Sequence, residues 1–432
     1  MSAQKDRSNM IIPARLHSSG FEKSDSNFYS LSLASDGNVY YTLCSHDLNT
    51  HGRVYCYNPS SDKVVLLGDL GELTGEAGTK SIPQGKSHCP FFECDGKLYF
   101  STQYGFFMSS DNKERPAGVP EGYRPYPGGH FLSYDLASGE FEDLVVGPPE
   151  EGIVAMQVDP ERKRMYGLTW PIGYFLVYDI STRHLQNLGK VSRQGEVGEG
   201  RDYFCLCRSM GLWPETGDVY FTNADGEILM YRVEKNQVES VPDITMKRDI
   251  FGAWDPHKPG HQGYNWRDIF WHAQEKVFYG VHPKSAWLFR FDPVEPRLSL
   301  IDRICSKEFR ESGRFEVFRY GYLSLRLGLD RETIFYLTSG EVPTGDGEKQ
   351  KEVVHLVTYH LPTGYYQDHG VLKLSDGRYP KMAHCLAVHP NGRLYSCPWI
   401  EPKPHPQNEN VPDECDLISF DQPDLSDCYG SR

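Results

Sequence analysis

No run in this 432-residue chain approaches the roughly 18 consecutive apolar residues of a membrane-spanning helix. The opening stretch MSAQKDRSNMIIPARLHSS has no apolar core of the kind export signals carry. The expectation is therefore a cytoplasmic protein, or a secreted or periplasmic one if a signal has been trimmed. Positive charge is in short supply: 45 Lys and Arg face 59 Asp and Glu, a formal charge of −14. That balance argues against nucleic acid or an anionic membrane as the main partner. Paired metal-ligand spacing is missing too, because the 11 Cys include no C-x-x-C. Cys205 and Cys207, two apart, share one face of a strand, and buried reduced thiols are the expectation. Sustained heptads are absent, which excludes a coiled coil.

What is present is repetition. KSHCPFFECDGKLYFSTQYG (86–105) reads as a strand, a tight Asp-Gly turn and a returning strand. The pattern recurs at 29–43, 155–169, 208–222, 267–281, 324–338 and 384–398, with aligned positions (counted from His88 in the first-quoted unit) about 53–67 residues apart. A second pair of strand-like runs follows, as in HFLSYDLASGEFEDL (130–144) and YFLVYDISTRHLQNL (174–188). Such a unit cannot bury both faces of its sheet alone, so neighbours must stack on it. The predicted fold is all-β: a seven-bladed β-propeller with four-stranded blades. Residues 1–26 form an N-terminal segment, 27–425 the single propeller and 426–432 a C-terminal tail. The last blade runs out after its third strand, so residues 9–16 are expected to supply the fourth and close the ring. Long Pro- and Gly-rich insertions at 108–129, 246–266 (with His257 and His261) and 339–352 read as binding or lid loops.

Aligning the copies on the aromatic of their second strand puts Tyr29, His88, Ala155, Arg267, Ser324 and His384 at one register position, with Arg208 equivalent in the fourth copy, whose turn is one residue longer. The first strand of a blade lines the central channel, so this position makes one circle of side chains. Two His, two Arg and a Tyr there exceed what a purely structural lining needs. The loops after the second strands bring Gln103, Trp170, Tyr174, His282 and Trp399 beside that circle, with His130 ending the long second loop. GGHFLSYDL and IGYFLVYDI align without gaps, which makes His130 and Tyr174 equivalent. Arg binds a carboxylate through a planar fork, Trp and Tyr offer stacking surfaces, and His and Tyr move protons. An acidic protein with such a pocket suits a uronic acid. β-Elimination from a uronate needs a cation on the carboxylate, a base at C5 and an acid for the leaving oxygen, with no redox cofactor.

SHCPFFECDGKLYFSTQYG, GGHFLSYDLASGEFEDL and LTWPIGYFLVYD resemble the propeller-fold polysaccharide lyases, especially the ulvan-lyase type. LFRFDP (288–293) and LVTYHLPTGYYQDHGVL (356–372) are similar to segments of uncharacterised bacterial relatives of that group. The resemblance implies a lyase acting on an acidic glycan with His, Tyr and Arg. His88 matches the first His, Arg208 the Arg and Tyr174 the Tyr, with Tyr178 close by. Gln103 stands where a second His is expected, and His130 is the substitute. Gln103, Trp170, Arg267, His282, His384 and Trp399 are then the substrate-binding set. No cofactor is required; the resemblance allows a structural divalent cation, with His282, His384 and Cys385 as conceivable ligands, and the metal is unassigned. The competing expectation is a non-catalytic propeller that binds a glycan or a protein on the same face.

Overall fold

The computed structural model describes residues 6–110, 113–252, 255, 263–315, 324–343, 350–403 and 412–426. The histidines at 257 and 261 and the tail from 427 lie outside these residues. The architecture is all-β, a propeller arrangement of small four-stranded sheets. The first comprises Leu31–Leu33, Val39–Leu43, Arg53–Asn58 and Lys63–Asp69, paired antiparallel from the inside outward. The second uses Phe92–Cys94, Lys97–Ser101, His130–Asp135 and Phe141–Val146; the third, Gly152–Asp159, Arg164–Trp170, Tyr174–Asp179 and His184–Lys190. The fourth and fifth begin at Gly211–Leu212 and Asp268–His272 and repeat the order.

The expectation of seven separate four-stranded sheets needs correction, because eight of the remaining strands form one sheet, beside a small three-stranded sheet of Pro380–Met382, Trp399–Ile400 and Glu414–Cys415. Ser324–Leu327, Thr333–Pro343, Gln350–His360 and Tyr365–Leu374 make one half. Ala387–Val388, Arg393–Ser396, Leu417–Asp421 and the N-terminal strand Ile11–His17 make the other. Ile11–His17 joins them: it runs antiparallel to Leu417–Asp421 (Ala14 opposite Phe420) and parallel to Tyr365–Leu374 (Ile11 opposite Val371). A repeat in the sequence counts inner hairpins and is blind to this lateral pairing at the rim.

Local chemistry sets the hairpins. Cys94 pairs with Lys97 across a two-residue turn in which Asp95 and Gly96 have φ of 52° and 73°. Both signs are positive, as the mirror-image hairpin turn demands, and Asp-Gly is the pair that tolerates them. The second and third strands of each sheet are buried, whereas outer strands such as Lys63–Asp69 are largely exposed or half-buried. Adjacent sheets meet through aromatic faces. Phe175 of the third sheet stacks on Phe221 of the fourth at 5.2 Å, and Tyr231 packs 5.3 Å from Phe175. Each such ring contributes roughly 1.5–3 kcal/mol by leaving water, which only a neighbouring sheet makes available.

Residues from all seven copies of the repeat line one central channel of about 550 Å³. Its walls are mainly apolar, and its polar part includes His88, Arg208, Asp268, Arg326 and Tyr29. The ten cysteines among the described residues are free thiols. No described helix is long and apolar enough to cross a membrane.

Candidate functional site

At the end of the channel where the inner strands begin, Lys86, His88, Gln103, Glu114, Trp170 and Arg208 line a small enclosed cavity with Phe28 and Phe107. Backbone packing fixes its geometry. A Cβ on Gly85 would lie 2.3 Å from the Gly105 Cα and 2.5 Å from the Ser45 carbonyl oxygen, so only glycine lets these strands cross. That close approach lets Lys86 and Gln103 exchange two backbone hydrogen bonds, at 3.2 and 2.9 Å. Lys86 precedes His88 by two, so in extended backbone both aim to one side. They do so here: both line the cavity.

Phe28 closes the channel. Its ring stacks on His88 at 5.3 Å and meets His384 at 5.2 Å, with Trp399 edge-on at 6.3 Å. Phe107 belongs to an inserted two-stranded hairpin (Phe107–Ser110 and Lys113–Pro116) that pairs with no other sheet among the described residues. It covers the cavity, edge-on to His46 at 4.9 Å and to Trp170 at 6.4 Å. Arg115 ties that hairpin down through the Gly198 carbonyl at 3.0 Å and the Glu199 carboxylate at 2.5 Å.

His88 is 6% exposed. Burial, then the positive Arg208, Arg267 and Lys86, hold its imidazole far below the usual histidine range, so it is neutral at pH 7. Its Nδ1 and the Gln103 Oε1 are both buried without a hydrogen-bond partner among the described residues. Buried polar atoms are ordinarily satisfied, so two orphans facing one cavity point to a ligand or water. At about 10 Å³ the closed cavity holds a single water.

Arg208 is buried and already paired. Its side chain is 6% exposed and its Nη2 lies 2.8 Å from Oε1 of Glu196, which is 2% exposed. Nη1 donates to the Leu206 carbonyl at 2.9 Å. Burial works against its charge, but the Glu196 carboxylate outweighs that and holds the guanidinium protonated. Glu196 also accepts from Trp170 Nε1 and from the Leu206 N–H, each at 2.9 Å. One carboxylate therefore aims two of the predicted site residues, Arg208 and Trp170.

Other predicted residues lie elsewhere. Tyr174 is half-buried at the start of a third strand, packed against the cluster of Phe131, Ile153 and Leu176. It does not line the cavity, and Tyr178 is buried in the same cluster. The reason is geometric: each strand outward from the axis adds about 4.8 Å, so a third-strand residue stands back from the channel. His130, its equivalent, is also displaced and fully engaged. Its Nδ1 faces Asp143 at 2.9 Å and its Nε2 faces Glu76 at 3.2 Å. Burial alone would depress its proton affinity, but the two carboxylates win and raise it to about 9. His130 is a charged tie between the second sheet and the connector that follows the first, not a substitute base. His282 is fully buried in the fifth sheet, stacked on Phe251 at 4.0 Å and bonded to Ser285 Oγ at 2.8 Å. Arg267 is fully buried and lines neither the channel nor the cavity, lying 4.7 Å from the Tyr29 ring centroid, while His384 Nδ1 meets the Asn27 carbonyl at 2.5 Å. Trp399 packs on His384 at 5.5 Å. Among the described residues no three His, Cys, Asp or Glu cluster as metal ligands, and His282, His384 and Cys385 do not form a set.

Sequence reading misses Lys86, Glu114 and Glu196. Lys86 has a legible signal, its i, i+2 spacing from His88. Glu114 and Glu196 come from an insertion and a connector, where no register predicts which side chain turns inward.

No protein-family model and no curated protein matches the chain. Solved structures are similar in fold. The extracellular domain of a hybrid two-component system from B. thetaiotaomicron aligns at 11% identity and TM-score 0.51, over 95% of this chain and 40% of that one. A chain of the mitotic checkpoint complex aligns at 10% identity and TM-score 0.51, over 98% of both. A β-propeller domain of Cps50 (Swd1) from Myceliophteria thermophila aligns at 9% identity and TM-score 0.48, over 94% of this chain and 98% of that one. At such identities the likeness concerns the fold alone. None of these is described as a polysaccharide lyase.

Proposed function

We propose that the protein is a lyase acting on a uronate at the end of a short acidic oligosaccharide, by β-elimination in the cavity of His88, Arg208 and Lys86. The observation that carries this reading is the convergence of a neutral buried His88, with an orphaned Nδ1, on a fixed Arg208 guanidinium in one enclosed cavity. Arg208 keeps donor capacity beyond its contacts to Glu196 and Leu206 and would meet the substrate carboxylate, stabilising the enolate-like charge as the C5 proton leaves. Neutral His88 would take that proton. Lys86, and not Tyr174, would protonate the leaving oxygen, since its ammonium lies in the same cavity. A sugar is far larger than the cavity as it stands, so the 107–116 hairpin would lift to admit it; an enclosed end suits a chain terminus better than a polymer running across. The resemblance of the 86–105, 128–144 and 168–179 segments to propeller-fold lyases supports the same assignment. We count the ring as seven blades, the eight-stranded sheet being two joined at their rims, because seven inner segments line the channel.

The rise in ultraviolet absorbance of a C4–C5 unsaturated uronate tests the reading. Glucuronate- and galacturonate-ended oligosaccharides should give it, and His88→Asn should abolish it. A flat trace across that panel, with and without divalent cations, would refute lyase activity. One observation favours the second reading, a non-catalytic glycan-binding propeller: Glu196 already neutralises Arg208. Calorimetric binding of the same oligosaccharides without turnover would select it.

A further inference from the structure

Lys86 is unlike any other lysine described. It is 5% exposed, and its Nζ lies 4.4 Å from the Phe28 ring centroid and 3.9 Å from that of Phe107. Among the described residues no hydrogen bond or ion pair holds its Nζ. A structural lysine would reach a carboxylate or water; this one is held between two aromatic faces, with its nitrogen in the cavity. Burial is the largest influence on it; of the ionisable neighbours, the Glu114 and Asp25 carboxylates and the Cys44 thiol favour the ammonium, and Arg208 opposes it. Burial outweighs them all and brings the amine down to about 8. His88, Glu114 and Arg208 line the same cavity.

The geometry points to Lys86 as a reactive amine that forms an imine with small carbonyl compounds bearing an adjacent carboxylate, the 2-oxo acids. The unprotonated nitrogen attacks the carbonyl carbon, and the C=O π pair passes to oxygen, which takes a proton. The resulting carbinolamine loses that oxygen as water, so ammonium and carbonyl give a protonated imine and one water. His88 and Glu114 are placed to pass the protons, and Arg208 to hold the carboxylate. A 2-oxo acid of two or three carbons needs less opening of the hairpin than a sugar. This activity goes beyond the elimination reaction and does not depend on it.

Pyruvate and glyoxylate, each with sodium cyanoborohydride at pH 7.5, test it on the full chain. Hydride reduces the imine to a stable secondary amine, which peptide mass mapping locates. An amine at about 8 has on the order of 10²-fold more unprotonated form than an exposed lysine near 10.4. Lys86 should therefore label on the order of 10-fold or more faster than any other lysine, even after allowing for slower access. Acetone, lacking the carboxylate, should label it more slowly than pyruvate. Lys86→Met should lose the fast adduct. Labelling spread over exposed lysines with no excess at Lys86 would overturn the inference, and this wild-type measurement stands even if the variant fails to fold. The labelling uses no uronate, so its failure leaves the elimination reading untouched, and a flat elimination trace leaves this one untouched.

Discussion

Replacing Arg208 with alanine tests the ion pair under the site before any substrate is known. The arginine and Glu196 are 6% and 2% exposed and 2.8 Å apart. Exposed pairs of this kind are worth roughly 0–1 kcal/mol. Here the substitution leaves a buried carboxylate with only the Trp170 and Leu206 N–H groups, both at 2.9 Å. Removing one partner of a buried pair costs about 3–5 kcal/mol. For a 432-residue chain, an unfolding entropy of roughly 2.1 cal/mol/K per residue gives about 0.9 kcal/mol/K, so Tm should fall about 3–6 °C. The double variant Arg208→Met with Glu196→Gln removes both charges and keeps volume, and should recover most of the loss. Urea titration followed by tryptophan fluorescence measures both. If Arg208→Ala stays within about 1 kcal/mol of the parent, or the double variant is no better than the single, the buried-pair reasoning fails.

The tie at His130 carries a pH signature. Its affinity for the proton is raised to about 9, so the stability it adds is complete below the unfolded value near 6.5 and fades as pH rises through 9. The difference between parent and His130→Gln should shrink over that window by at most about 3 kcal/mol, less the screening of the partly exposed Asp143. A difference that grows with pH would reverse the assignment. His88→Asn should lower elimination turnover on the order of 10²-fold or more, as loss of a general base does, while circular dichroism stays unchanged. Tyr174→Phe should leave turnover within about twofold, because this tyrosine packs away from the cavity; a loss as large as that of His88→Asn would restore it to the chemistry. Deleting residues 6–17 unpairs the edges of Tyr365–Leu374 and Leu417–Asp421 together, and light scattering should show aggregation where the full chain is clear.

The repeat was legible because a blade is a local unit: alternation, an Asp-Gly turn and a returning strand all lie within twenty residues. The same register placed His88 and Arg208 on one circle, since a position on the innermost strand has no freedom to be anywhere but beside the channel. Legibility ended where a side chain's surroundings come from another part of the chain. Equivalence of His130 and Tyr174 was readable, but their distance from the axis depends on strand order in the sheet. The pairing of Arg208 depends on Glu196, in a connector whose inward-facing residue no period marks. An N-terminal strand beside Leu417–Asp421 was readable from a last blade that runs out early, but its second, parallel pairing with Tyr365–Leu374, which fuses the two halves, was not.

The central claim is that the cavity of Lys86, His88 and Arg208 receives a uronate. A crystal structure of the His88→Asn variant soaked with a glucuronate-ended disaccharide measures this directly. The account predicts the hairpin of residues 107–116 lifted, with the sugar carboxylate about 2.8 Å from the Arg208 guanidinium and C5 facing residue 88. A carboxylate bound at the opposite, apolar mouth of the channel, or an unchanged closed cavity at saturating sugar, would contradict it.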